Sequence, residues 1–175
     1  GYTSDDVFAG NFAGPGPDGL YGTFDDATVP QGDAIADGFD KLAAYGKVDN
    51  QWRFLIDNTN NGVANLTVIA AQSVNGLPVA GNFDGNAANG DEVGLFTGDT
   101  WYLDTTHNYF VDQAIPTAMR GYPIVGDFDG NGYDDLATWS DDTFYVALTS
   151  NTGVRTGLET LRFRVGFIGV RERPV

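Results

Sequence analysis

The chain has no cysteine, a single histidine, a single methionine and only nine lysines and arginines in 175 residues. Without cysteine there is no disulfide framework and no thiolate metal site. Nine basic residues against 24 acidic ones leave a formal charge of −15, which disfavours nucleic acid as a partner because phosphate binding needs clustered Lys and Arg. No apolar run approaches the roughly 18 residues of a membrane span, and no charged-then-apolar leader opens the chain. His107, in the polar stretch Thr105-Thr106-His107-Asn108, reads as a solvated turn residue, and no Ser stands in a Gly-x-Ser-x-Gly elbow. These absences favour a binding or structural role over catalysis.

What is present is acid and aromatic side chains together. A hydrophobic content of 42%, with 13% aromatic, separates this acidic chain from a disordered one. Divalent cations are its natural counter-charge.

The segment Gly126-Asp127-Phe128-Asp129-Gly130-Asn131-Gly132-Tyr133-Asp134-Asp135-Leu136 puts oxygen ligands at alternate positions and then enters an apolar run. Asp127, Asp129 and Asn131 stand at loop positions 1, 3 and 5, Tyr133 offers its backbone carbonyl at 7, and Asp135 closes the ring at 9. Calcium takes six to eight oxygens in flexible geometry, which this set suits. An EF-hand is excluded, because position 12 is Thr138 where a bidentate Glu is required, and because the flanks read as strands.

Self-similarity extends this loop along the chain. Phe8-Ala9-Gly10-Asn11-Phe12, Val79-Ala80-Gly81-Asn82-Phe83 and Ile124-Val125-Gly126-Asp127-Phe128 are one pentad three times. Downstream, the stretches from Asp40, Asp91 and Asp134 align, as do third strands at Trp52–Ile56, Trp101–Thr105 and Phe144–Leu148. Fourth strands are expected within Asn65–Ala70, Phe110–Ile115 and Leu161–Val165. Each unit reads strand, acidic loop, strand, tight turn, strand, strand. The expected fold is therefore all-β, with three four-stranded antiparallel blade-like repeats of the β-propeller type in one repeat domain. The approximate units are residues 7–76, 77–121 and 122–175, with an insertion at about 15–36 in the first. That insertion is either a functional loop or a solvated excursion.

The other two loops depart from the third. The second retains Asn82, Asp84, Asn86 or Asn89, and Glu92 as plausible ligands but is two residues longer. In the first, Ala13 replaces the second ligand and Lys41 stands where Glu92 and Asp135 stand. Either the Lys41 ammonium takes the place of an ion, satisfying Asn11, Asp37 and nearby carbonyls, or it points into water. Trp52, Trp101 and Trp139 read as core aromatics.

The pattern Asp127-x-Asp129-x-Asn131-Gly132-x-x-Asp135-Leu136, preceded by Val125-Gly126 and repeated with three strands between copies, resembles the FG-GAP/VCBS repeats of integrin-type β-propellers. The resemblance spans essentially the whole chain, strongly in the second and third units and loosely in the first. It implies Ca2+ held in the hairpin loop between the first two strands of a unit, serving structure. By that resemblance the ligands are Asp127, Asp129, Asn131, Tyr133 and Asp135, with Asn82, Asp84 and Glu92 in the second loop. It further implies a calcium-binding adhesion-type module of a secreted or cell-surface bacterial protein, with no catalysis of its own. A carbohydrate-binding propeller module is the alternative, and a glycosidase or lyase segment a third. The expected partner is an extracellular protein or polysaccharide, with a homo-oligomer or neighbouring repeats as ways to complete the ring.

Overall fold

In the computed structural model the described residues are 4–14, 36–64, 66–69 and 73–165. Most of the insertion at 15–36 and the segment beyond Val165 lie outside them. The first sheet comprises β1 (Asp6–Gly10), β2 (Lys41–Val48), β3 (Gln51–Ile56) and β4 (Leu66–Ile69). The second comprises β5 (Leu77–Gly81), β6 (Glu92–Phe96), β7 (Thr100–Leu103) and β8 (Gln113–Pro116). The third comprises β9 (Tyr122–Gly126), β10 (Asp135–Ser140), β11 (Thr143–Ala147) and β12 (Leu161–Arg164). Each is a four-stranded meander in chain order, with every neighbouring pair antiparallel. No helix occurs among the described residues, so none is long and apolar enough to cross a membrane.

Local chemistry accounts for the hairpins. Asp49-Asn50 and Asp141-Asp142 all take positive φ between 49° and 66°, joining β2 to β3 and β10 to β11 through two residues. Short polar side chains tolerate that left-handed conformation, and such a turn matches the strand twist. The registers align the repeats residue by residue: Gly10 faces Lys41, Gly81 faces Glu92 and Gly126 faces Asp135.

The sheets pack on one another through their aromatic faces. Between the first and second lie Phe12, Ala43, Tyr45, Phe54, Ile56, Val93, Leu95 and Tyr109. Phe8 meets Phe12 edge-on at 5.7 Å, and Trp52 stacks on Tyr45 at 5.1 Å. Between the second and third lie Val79, Phe83, Phe96, Trp101, Leu103, Ile115 and Leu136. Strands alternate their side chains between faces, so the middle sheet feeds both clusters: Val93 and Leu95 turn one way, Phe96 and Trp101 the other.

Candidate metal centre

The third loop runs from the end of β9 to the start of β10, and the antiparallel pairing of Gly126 with Asp135 closes it. Gly130 and Gly132 lie at φ +79° and +90°, which lets the backbone fold its amides inward. Asp127 Oδ1 accepts from the N–H groups of Gly130 (2.8 Å) and Asn131 (3.0 Å), and Oδ2 from Gly132 (2.9 Å). Asp135 is buried; its Oδ2 accepts from Phe128 N–H (2.9 Å) and its Oδ1 from Thr149 N–H (2.6 Å). Asp129 accepts from Asn131 N–H, at 3.2 Å, and its carboxyl lies against that of Asp127. Carboxylate oxygens of Asp127, Asp129 and Asp135 all come within 4.8 Å of one another.

The electrostatics of this group are divided. Asp127 is held below its ordinary value, chiefly by the Gly132 amide and then by those of Asn131 and Gly130. Asp135 is pushed up, first by burial and then by the charges of Asp129 and Asp127, against the opposing pull of the Thr149 and Phe128 amides. Three carboxylates that repel one another yet retain unused lone pairs suit a hard cation that takes oxygen ligands. Asn131 is placed differently from the sequence expectation: its Oδ1 accepts from Tyr133 N–H (2.8 Å) and its Nδ2 donates to Thr149 O (2.8 Å). Thr149 therefore braces the loop from outside, through both Asn131 and Asp135. Tyr133 turns its ring toward the second loop, where a Cβ on Gly85 would strike it.

The second loop is organised around hydrogen bonds. Asp84 accepts from Asn86 N–H (2.6 Å) and from Asn89 Nδ2 (2.8 Å), and Asn86 Oδ1 accepts from Ala88 N–H. Asn82 sends its amide across to Gly132 O (3.0 Å). Glu92 is buried, with Oε2 accepting from the N–H groups of Phe83 (2.7 Å) and Asp84 (3.1 Å). Its Oε1 lies 2.9 Å from His107 Nδ1. Of the expected ligands here, Asn82 is turned toward the third sheet and Glu92 toward His107.

His107 corrects the sequence reading: it is buried, at φ +53°, where a solvated turn residue was expected. The loop Asp104–Tyr109 folds inward because the buried Asp104 carboxylate accepts from the N–H groups of Thr106, Asn108 and Tyr109. The Tyr109 hydroxyl then reaches Ala13 O in the first loop, at 2.8 Å.

Burial pushes Glu92 up to about 7 against the lowering contact of His107, and pushes Asp104 up to about 6 against its amide donors. A carboxyl raised on folding binds its proton more tightly in the native state, so it favours folding at low pH and ceases to do so as pH rises. Stability without added metal is therefore expected to increase as pH falls from 7.5 to 5, by an amount on the order of 2–3 kcal/mol. Below about pH 3.8 the trend reverses as Asp37 and Asp127, both depressed, lose their contacts. Glu92→Gln retains an acceptor for Phe83 and Asp84 and is expected to flatten the upper part of this profile. Chemical denaturation at stepped pH reads both effects, and a wild-type curve that rises from pH 5 to 7.5 contradicts them.

In the first loop Lys41 is buried and its ammonium donates to Asp37 Oδ1 (2.8 Å), Phe39 O (3.1 Å) and Asn11 Oδ1 (3.4 Å). Of the two sequence readings, this geometry matches the inward one. Arg155 is a further organising residue that the sequence did not single out. Its buried guanidinium donates to Phe83 O at 2.8 Å and lies 5.5 Å from the centre of the Phe83 ring, tying the second loop to the third sheet.

Two of the three tryptophans pack in the core clusters. Trp101 is fully buried, Trp52 has one face on Tyr45, and Trp139 is half-buried. A surface cleft of about 360 Å³ is lined by Met119, Arg120, Tyr145, Glu159 and Arg162 among others, and there Arg162 covers the Tyr145 ring at 4.8 Å.

No protein-family model matches the chain, and no curated protein matches it. Among solved structures, that of the Photorhabdus luminescens Tc holotoxin pore is similar over 83% of this chain and 7% of its own, with 15% identity and a TM-score of 0.47. So remote a likeness assigns neither a family nor an activity.

Proposed function

We propose that this chain is a calcium-stabilised structural and interaction module of an extracellular protein, built of propeller-type repeats and working by binding. The observation that carries the reading is the convergence of the Asp127, Asp129 and Asp135 carboxylates within 4.8 Å in a glycine-shaped loop. A calcium ion there would offset the burial and the neighbouring Asp129 and Asp127 charges that raise Asp135, and would tie the end of β9 to the start of β10. The Tyr133 carbonyl would complete the set by its place in the loop, whereas the Asn131 side chain is engaged elsewhere. The ion is assigned to the third loop. Lys41 supplies a positive charge in the first, and Asn89 and His107 occupy the acids of the second. Extracellular calcium suits such a site, since modules outside the cell are filled at affinities of about 10⁻⁴–10⁻³ M.

Thermal unfolding in saturating calcium and in chelator tests the reading. An ion that binds only the native state stabilises it by about 2.7 kcal/mol at a hundredfold excess over Kd. Asp129→Ala is the informative variant, because its one backbone contact in the loop is the 3.2 Å bond from Asn131 N–H and its removal is expected to change the chelator melt less than loss of Asp127 or Asp135 would. The calcium increment is expected in the wild type and lost in Asp129→Ala. A wild type indifferent to calcium defeats the proposal.

A further inference from the structure

Two grooves run between neighbouring sheets, and the same contact fixes both. Asp91 N–H donates to Asn11 O (3.1 Å) and Asn11 N–H to Asp91 Oδ2 (2.7 Å) between the first and second sheets. Asp134 N–H to Asn82 O and Asn82 N–H to Asp134 Oδ2, both at 3.0 Å, repeat it between the second and third. The strand registers give each groove matching positions. On the second sheet Leu95 pairs with Tyr102 and Tyr102 with Ala114, and on the third Thr138 pairs with Tyr145 and Tyr145 with Arg162. Directly paired residues share a face, so Tyr145 and Arg162 lie on the face that carries Thr138 and Leu136 toward the second sheet.

The two grooves differ in polarity. In the first, Leu95 belongs to the apolar cluster, and Val74 and Tyr102 pack against it. In the second, Thr138 replaces Leu95 and Arg162 replaces Ala114. Arg120 stands two residues before β9, where Asn75 stands two residues before β5. The result is the cleft of about 360 Å³ already described, with both of its walls inside the described chain. The Thr117 hydroxyl donates to Gly157 O (2.7 Å) and ties those walls together. Arg120 donates from Nη1 to Thr117 O (2.8 Å) and Met119 O (2.9 Å), which fixes the plane of its guanidinium. It makes no ion pair among the described residues, whereas Arg162 forks onto Glu159 at 2.8 and 2.7 Å. In the same interface the Thr138 hydroxyl and the Trp101 Nε1 are buried with no hydrogen-bond partner among the described residues.

We propose that this cleft binds a carboxylate-bearing sugar, a hexuronic acid unit. Arg120, held flat and without an acidic partner, presents a planar fork that matches a carboxylate. Sugar hydroxyls both donate and accept, which suits a lining that sets the carboxylates of Glu159 and Asp141 beside the guanidinium of Arg162. Met119 and Tyr145 supply apolar surface for the C–H groups of the ring. The volume stands at the low end of the roughly 300–1,000 Å³ of ligand pockets, which selects one or two sugar units over a long chain. The site lies outside the third loop and needs no calcium, so the inference goes beyond the calcium reading and does not rest on it.

Amide-detected NMR titration of the whole chain with glucuronate and galacturonate tests it, beside glucose, galactose and acetate. Chelator is present throughout, because uronates themselves bind calcium. Saturable shifts are expected at Arg120, at residues 140–145 and at residues 157–162, with the neutral sugars and acetate weaker by about tenfold or more, the value of a hydrogen bond to a charged group. Arg120→Gln, a change at an exposed residue, is expected to weaken uronate binding by a similar factor and to leave the remaining spectrum in place. Arg53→Gln removes the same charge from the first sheet and is expected to leave binding unchanged. No saturable uronate shift overturns the proposal, as does equal binding of glucose or galactose, or an Arg120→Gln protein that binds as the wild type does. Acetate that reproduces the uronate shifts at the same concentrations also overturns it, since the cleft would then hold an anion and not a sugar.

Discussion

Lys41→Glu is expected to cost about 3–5 kcal/mol at pH 7, the range for an uncompensated buried charge. Lys41 is buried, and the groups around its ammonium are all acceptors: Asp37 Oδ1, Phe39 O and Asn11 Oδ1. A carboxylate in that position would face the three oxygens that now accept from the ammonium, and would set a second negative charge beside Asp37. The loss should shrink as pH falls toward 5, because a protonated Glu is neutral and can donate. Lys41→Met separates charge from packing. It retains the apolar stem and removes only the donor, and Asp37 is exposed enough for water to replace that donor. Its expected cost is about 1 kcal/mol. Urea unfolding of the two variants at pH 7 and pH 5 makes the comparison. Equal losses at pH 7 would mean that the ammonium contributes nothing specific.

Trp101→Ala carries a comparable penalty of about 3–5 kcal/mol, by loss of buried area and creation of a cavity. Trp101 is fully buried on β7, pairs across the strands with Phe96 at 4.4 Å between ring centres, and belongs to the cluster joining the second and third sheets. Trp101→Phe is expected to cost far less, about 1 kcal/mol or under. The indole Nε1 is buried with no hydrogen-bond partner among the described residues, so phenylalanine removes an unsatisfied donor together with part of the volume. Thermal melts that rank the two variants equally would show that the donor, and not the packing, sets the energy at this position.

The repeat architecture was legible because it rests on local signals. Each aligned pentad places a strand, each acid-glycine stretch turns the chain, and alternation with period two divides every strand into two faces. The approach of Asp127, Asp129 and Asp135 was readable for the same reason: they are close in sequence, and the pairing of Gly126 with Asp135 closes the loop that carries them. Asn131 was not, because its amide is claimed by Thr149, eighteen residues away. The third strand of its sheet had to be in place before that contact existed.

His107 failed as a sequence reading for a related reason. Polar neighbours argued for solvent, yet Asp104 gathers the surrounding amides inward and Glu92, on another strand, supplies a partner. Arg155 shows the same dependence, since its acceptor at Phe83 belongs to a different sheet. The aligned positions Lys41, Glu92 and Asp135 are one register position in three sheets, all buried. Sequence alignment predicts that equivalence, and only long-range packing decides what each side chain meets.

The sequence by itself determined the all-β class, the three-unit phase, the turns and the acidic composition of the third loop, because these depend on residues within one strand or hairpin. The tertiary structure decided which loops turn their polar groups inward, which aromatics lie between sheets, and how Asp91 and Asp134 clamp their neighbours. Those outcomes require groups from different sheets to share one desolvated space. Burial removes water as the alternative partner, and the geometry of the neighbouring sheet then selects among contacts that the local sequence leaves equally open.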